Sequence, residues 1–444
     1  MTQAKLSGFL AAILIGIVAG AFAKPAEPAK ADQSVKPAQE AASAAKASTA
    51  NSANDACLEC HDNPTTKNAA GKPVGLDAVL YAKSVHGGKD FSCTDCHDGI
   101  ETDRGAAAAA NPHGKVEPPS CGSCHRKQAK EYKATIHGKA RAAGKNVAAT
   151  CSDCHGKHDI VSVKDDSART SHANIEKTCG ACHGNDETIK RGRIPGGNVA
   201  GKYHDSIHGK TVAGKGPKSE KAPTCTDCHG SHDMRPKSDP ESTVAKARIT
   251  ELCGTCHSKV LKVFEGSIHG RLQQKGVKIA PVCIDCHSAH SIQDHNLPDW
   301  QVDVIRECGG CHLDFIKSYR DTFHGQVTDL GFARIATCAA CHGSHEILEK
   351  SDPKSKVSAG RRLETCQKCH TKANANFALF EPHADKHRKE SGVVLYYTAL
   401  FMQVLLAGVF VFFGIHTVLW LYRSLRVMAE RRARSQGGSQ EEKH

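Results

Sequence analysis

Cys225-Thr226-Asp227-Cys228-His229-Gly230-Ser231-His232 is the stretch on which the fold turns. Its first five residues form a Cys-x-x-Cys-His pentapeptide, and the pentapeptide occurs eleven times in 444 residues. The cysteine pairs are Cys57 and Cys60, Cys93 and Cys96, Cys121 and Cys124, Cys151 and Cys154, Cys179 and Cys182, Cys225 and Cys228. They continue with Cys253 and Cys256, Cys283 and Cys286, Cys308 and Cys311, Cys338 and Cys341, Cys366 and Cys369. All 22 cysteines of the chain are used. The histidines that follow the pairs are His61, His97, His125, His155, His183, His229, His257, His287, His312, His342 and His370.

This spacing is the attachment signature of c-type haem. Two thiols add to the two vinyl groups of the porphyrin, and the adjacent imidazole ligates the iron from one side. Histidine makes up 28 of the 444 residues, so eleven coincidences have odds on the order of 10⁻¹³. A zinc site has no need for a histidine directly after the second cysteine. A thioredoxin-like motif occurs once per domain, and disulfides within the pairs leave the histidines unexplained. The cofactor expectation is eleven covalently bound c-type haems.

The motifs alternate between two kinds. From a second-kind motif (Cys93, Cys151, Cys225, Cys283, Cys338) to the next first-kind motif the spacing is 28, 28, 28, 25 and 28 residues. From first kind to second it is 36, 30, 46, 30 and 30. The unit is therefore a haem pair of about 58 residues used five times, closed by a single motif at Cys366.

Each kind has its own spare histidine. A Ser/Thr-apolar-His-Gly element precedes every second-kind motif and supplies His86, His137, His208, His269 and His324. His383, 13 residues after His370, is grouped with them. The second-kind motifs carry His158, His232, His290 and His345 three residues beyond the proximal histidine. The motif at Cys93 has Ile100 there, and His113 is the substitute. Methionine, the usual alternative sixth ligand, occurs only at Met1, Met234, Met402 and Met428. Bis-histidine ligation is thus expected at each iron, with His172, His204, His295 and His387 in reserve. Residues three apart on a helix project from one side, so His158 is expected to serve a different haem from His155, and likewise in the other three cases.

Segment boundaries follow from composition. Residues 1–23 read as a signal peptide, with Lys5, an apolar run and Ala21-Phe22-Ala23. Residues 24–54 read as a flexible Ala/Lys/Pro linker, with a helix conceivable near Ala41 to Ala50. Residues 55–390 are the haem domain, 391–422 a transmembrane helix and 423–444 a basic tail. Arg423, Arg426, Arg431, Arg432 and Arg434 place that tail in the cytoplasm and the haem domain in the periplasm. His416, an ionisable residue within the span, is a candidate for b-haem ligation or quinone binding, or a neutral packed histidine.

The net charge of +12 does not point to nucleic acid. Eleven haems bring two propionates each, which takes the oxidised protein to roughly +1 and the reduced one to roughly −10. From Cys57 to His370 there are about 29 residues per haem. That is too little chain for a conventional core, so the haems are expected to be the core and the apoprotein to be unfolded.

The Cys-x-x-Cys-His array, the Ser-Ile-His-Gly elements and the Cys-His-Gly-Ser-His runs at Cys228 and Cys341 resemble the large multihaem c-type cytochromes of respiring bacteria, including the cytochrome c3-like and octahaem groups. The resemblance covers about residues 55 to 390. It implies a mainly α fold with much irregular loop: a haem-packed array of two-haem repeats plus one C-terminal transmembrane helix. The segment Phe413 to Trp420 resembles the anchor that precedes a b561-type cytochrome domain. No such domain follows within these 444 residues, so the resemblance implies a separate b-type membrane partner, the quinone pool, and periplasmic or outer-membrane cytochromes as exchange partners. The chain departs from quinol dehydrogenases with an N-terminal anchor and four or five haems.

Three functions stand at this point: a membrane-anchored electron-transfer chain, a multihaem reductase of a small nitrogen or sulfur compound, and an electron store or scaffold. A reductase needs a five-coordinate haem, and the irregular unit at Cys93 is where it is expected.

Overall fold

The computed structural model describes residues 52–68, 70–100, 113, 118–332 and 335–437. The signal peptide, residues 24–51 of the linker and the last seven residues lie outside the described residues. Among the described residues the secondary structure is helical, with one isolated antiparallel bridge between Lys67 and Pro73.

Second-kind motifs sit on helices of four or five residues: Cys93–Cys96, Cys151–His155, Cys225–His229, Cys283–His287 and Cys338–His342. Helices this short do not persist alone. In four of them the x before the second cysteine is aspartate, which sits at the third helical position and accepts the backbone N–H of the cap residue. Thr150 N donates to Asp153 at 2.7 Å, Thr224 N to Asp227 at 2.6 Å, Ser92 N to Asp95 at 2.7 Å and Val282 N to Asp285 at 2.8 Å. Glycine ends three of these helices in the left-handed region, at Gly156 (φ 91°), Gly230 (φ 76°) and Gly343 (φ 89°). His158, His232, His290 and His345 therefore lie in loops beyond the helix. The same-side helix argument does not apply to them, because the helix stops at the proximal histidine.

First-kind motifs end or follow helices such as Ile175–His183 and Pro298–Cys311. A second helix then runs toward the Ser/Thr-x-His-Gly element, as in Arg126–Ala134, Ser258–Glu265 and Leu313–Arg320. The stretch from the proximal histidine to the spare histidine, 12 residues in three repeats (His125 to His137, His257 to His269, His312 to His324), is not one helix. It breaks at the Ser or Thr, whose extended backbone caps a new helix: Ile136–Ala142, Ile207–Ala213, Ile268–Gln274 or Phe323–Asp329. The cap hydroxyls accept the glycine N–H three residues on at 3.0–3.1 Å. Four of these hydroxyl residues, Ser84, Thr135, Ser206 and Ser267, are buried. The glycine is needed for close approach: a Cβ on Gly138, Gly209, Gly270 or Gly325 would lie 2.1 Å from a carbonyl oxygen of the preceding helix.

A backbone bond ties each repeat to the next. Val85 N donates to Ile160 O at 2.8 Å, Ile136 N to Met234 O at 2.9 Å, Ile207 N to Ile292 O at 2.7 Å and Ile268 N to Ile347 O at 2.8 Å. The donor precedes the histidine of one Ser/Thr-x-His-Gly element. The acceptor lies two residues past the loop histidine of the following repeat. Within repeats, a tyrosine three residues before the Ser or Thr spans to the second-kind motif. Tyr81 donates to Phe91 O at 2.7 Å, Tyr132 to Ala149 O at 2.6 Å, Tyr203 to Pro223 O at 2.8 Å and Tyr319 to Ala336 O at 3.0 Å. The fourth repeat has Phe264 and forgoes this bond.

Among the described residues only eleven apolar side chains are buried, five of them alanines. At roughly 25 cal/mol per Å² such a core cannot offset the entropy of ordering this chain. Helix Val393–Gly437 is 45 residues long and includes one apolar candidate membrane span. It does not stop at residue 422 but continues through the basic segment, which is rich in Arg and free of proline.

Candidate haem sites

Every proximal histidine faces one second histidine. In the first-kind row His125 faces His86 at 6.1 Å between ring centres, His183 faces His137 at 6.1 Å and His257 faces His208 at 6.2 Å. The row continues with His312 and His269 at 6.2 Å, then His370 and His324 at 6.0 Å. In the second-kind row the pairs are His97 and His158 at 6.1 Å, His155 and His232 at 5.9 Å, and His229 and His290 at 5.8 Å. His287 faces His345 at 5.9 Å, and His342 faces His383 at 6.1 Å. At the N-terminal end His61 faces His113 at 6.0 Å.

The separation has a physical meaning. A metal–imidazole bond is about 2.0 Å, and the ring centre lies about 1.1 Å further out, so imidazoles on opposite sides of one iron stand about 6.2 Å apart. No group of three or more His, Cys, Asp or Glu side chains poised around a bare ion occurs among the described residues. Opposed imidazole pairs, each beside two thiols, suit an iron whose four equatorial ligands come from a porphyrin.

The electrostatics agree with that donor set. Burial first, then the facing histidine, pushes His137, His229 and His342 below the ordinary histidine range. The neutral imidazole is the form that binds metal. His61 Nδ1 stands 2.8 Å from Val74 O, and donation to that carbonyl leaves Nε2 for a metal. His383 Nδ1 lies 3.2 Å from the Ser318 hydroxyl.

The cysteines form a second pattern. Within each repeat the first cysteines of the two motifs are neighbours whose thiols act on one another: Cys57 and Cys93, Cys121 and Cys151, Cys179 and Cys225, Cys253 and Cys283, Cys308 and Cys338. Between repeats, second-kind cysteines interact electrostatically with the next first-kind motif. Cys96 lies near Cys121, Cys154 near Cys182, Cys228 near Cys256, Cys286 near Cys308 and Cys341 near Cys366. Burial, then the Cys57 sulfur, raises the Cys93 thiol to about 11. All 22 thiols are free of disulfides.

The pairing has a rule that spacing alone did not reveal. Apart from His61, a first-kind proximal histidine faces the spare histidine of the repeat before it, and a second-kind one faces the loop histidine of the repeat after it. His113, expected as the substitute at the Cys93 motif, faces the first-kind His61 instead. The first repeat has no predecessor, so its second-kind motif needs no loop histidine, and Ile100 is an end effect. His97 faces His158, which removes the observation that made the Cys93 unit a candidate five-coordinate site. His383, grouped in sequence with the first-kind spares, faces the second-kind His342, because no sixth repeat follows to supply a loop histidine there. The reserve histidines face no proximal histidine. His172 Nε2 bonds Ala222 O at 2.8 Å, and His204 Nδ1 lies 2.8 Å from Glu176.

Several aromatic rings beside the pairs went unnoticed in the sequence. Phe377 lies 4.8 Å from His370, Phe315 5.1 Å from His383 and Trp300 5.5 Å from His287. Only the tyrosine at a fixed interval before the Ser or Thr carries a repeating signal.

A family model described as the doubled CXXCH motif matches residues 216–262, which hold the motifs at Cys225 and Cys253. The multiheme cytochrome MtrA of Shewanella baltica is 26% identical over 174 residues, covering 37% of this chain and 46% of that protein. The nine-heme cytochrome c of Desulfovibrio desulfuricans is 24% identical over 328 residues, 66% of this chain and 84% of that protein. The match thus spans less than half the length of the first relative. No solved structure matches the chain. With the motifs and these relatives, the chain reads as a multihaem c-type cytochrome. It binds haem c and, among the described residues, carries one candidate membrane-spanning helix, within Val393–Arg434.

Proposed function

We propose that the chain binds eleven c-type haems, each ligated by one of the eleven facing histidine pairs. We further infer that it passes electrons between the quinone pool, through a b-type membrane partner, and periplasmic redox carriers. Haem iron, when bound, supplies one-electron exchange between its ferric and ferrous states.

The observation that carries this reading is the unbroken succession of neighbouring attachment cysteines from Cys57 to Cys369. Haems held by these neighbouring cysteines would be close to one another, as electron exchange along a chain requires. The residues here do no bond-making chemistry. The cysteines would hold the haem edges, and the paired imidazoles would ligate each iron and so leave no site there for substrate or oxygen. A reductase needs an open position, and the second histidine at every site argues against one. The span and the arginines after it support a periplasmic haem domain and a cytoplasmic C-terminus.

The test is spectroscopic. Haem quantitation should give eleven per chain, and EPR of the oxidised protein should show low-spin signals that account for all the iron. A substantial high-spin fraction counts against the electron-transfer chain. Membranes containing the protein should reduce its haems with added quinol; failure while dithionite still reduces them counts against the quinone link.

A further inference from the structure

Four times in this chain, the N–H before a Ser/Thr-x-His-Gly histidine is covered by a carbonyl from the following repeat, at 2.7–2.9 Å. The acceptor residue lies outside any helix and is apolar each time: Ile160, Met234, Ile292 or Ile347. The fifth element, Thr322 to Gly325, has no repeat after it, and its Phe323 N–H has no acceptor among the described residues. The Phe323 side chain is 74% exposed, against 43% for Ile136 and 36% for Ile207 at the same place in earlier repeats. Leu330, the residue just past the helix that starts there, is 87% exposed.

The C-terminal tail does not close this end. His383 supplies the imidazole opposite His342, and Lys386 pairs with Asp321 at 2.9 Å. Two residues past His383, where the covering carbonyl would be, Asp385 O instead accepts Arg388 N at 3.1 Å. The tail takes over the ligand of the missing repeat and leaves its backbone clip unfilled.

We propose that this open end is a docking site for a partner protein. The partner inserts an extended segment whose backbone carbonyl accepts the Phe323 N–H and whose aliphatic side chain packs on Phe323. The site continues an interface that the chain builds four times with its own segments. It also adjoins His324, which faces His370 of the last motif. Calling the occupant a redox partner rests on the electron-transfer reading; the docking chemistry does not.

The probe is a labelled peptide copying Gly343 to Lys350, the segment that fills this place on the fourth repeat, with His345→Ala to prevent haem ligation. It is titrated against the full-length holoprotein in phosphatidylcholine nanodiscs and in detergent. Saturable one-to-one binding is expected. Phe323→Pro should weaken it about tenfold, and Phe323→Val, which keeps the N–H, should stay within about threefold. Proline suits the first helical position, and Thr322 (φ −81°, ψ 160°) already has the backbone that precedes a proline. If Phe323→Pro loses low-spin haem, Phe323→Asp carries the test instead and should also weaken binding. Absence of saturable binding, or equal binding by Phe323→Pro with its haems intact, overturns the proposal. Binding in detergent that disappears in nanodiscs assigns the end to lipid and also overturns it. High-spin iron in the unaltered protein would sink the electron-transfer reading without touching this one.

Discussion

Gly270→Ala tests how tightly the ligand geometry is set. The added Cβ would lie 2.1 Å from Phe264 O and 2.7 Å from Glu265 Cα. These are backbone atoms, so no rotamer change relieves the overlap. Contact distances for such atoms are about 3.5 Å at the optimum, so the helix must move by roughly 1 Å to become merely tight. Alanine gains up to about 1 kcal/mol over glycine inside a helix, but overpacking costs about 1–3 kcal/mol, so the clash wins. The neighbouring His269 faces His312 at 6.2 Å. Metal–ligand distances tolerate only about 0.2 Å, so a 1 Å shift removes the sixth ligand. The expected result is one haem in eleven turning high-spin, measured by EPR spin quantitation against total iron, with the other ten unchanged. A variant with all iron low-spin and unaltered denaturation would refute the close-approach argument.

Other outcomes follow from the same geometry. His113→Ala should open the site at Cys57 alone, so that the reduced variant binds one equivalent of carbon monoxide per chain where the parent binds none. Chain produced without haem should lack cooperative unfolding and most of its helix by circular dichroism, since so few apolar side chains are buried without the cofactor. Hydrogen bonding from Lys356 holds Glu346 down at about 2. A depressed carboxylate contributes stability above its unfolded value near 4.3 and loses it as pH falls toward about 2. The advantage of the parent over Glu346→Gln in denaturant midpoint should therefore vanish across that window. Tyr319→Phe should cost about 1 kcal/mol, read as faster amide exchange near Ala336, whereas Phe264→Tyr should not destabilise the fourth repeat.

The sequence exposes what is local and hides what is not. Cys-x-x-Cys-His and Ser/Thr-x-His-Gly are legible because each has its own short-range chemistry: thioether attachment in one, a capped helix start with a glycine contact in the other. Which imidazole faces which is a relation between repeats, and no spacing encodes it. His383 shows the difficulty, since it follows His370 closely yet faces His342. The loop histidines show another: treating His155 and His158 as neighbours on a helix misjudged the backbone, because Gly156 ends that helix, although their separation onto different partners holds. Ile100 was read as an irregular site when it marks an end of the array.

The opposite directions of the two rows bear on how the protein is put together. Under the proposed ligand set, each first-kind site after the one at His61 takes its second imidazole from chain already made, as His125 does from His86. A second-kind site must wait for chain not yet delivered, as His97 waits for His158. During export each new repeat therefore completes one iron behind it and finds one partner already waiting. The last second-kind site, at His342, is finished only when His383 emerges, ten residues before helix Val393–Gly437 begins. The order of residues along the chain thus doubles as a timetable for closing the metal sites.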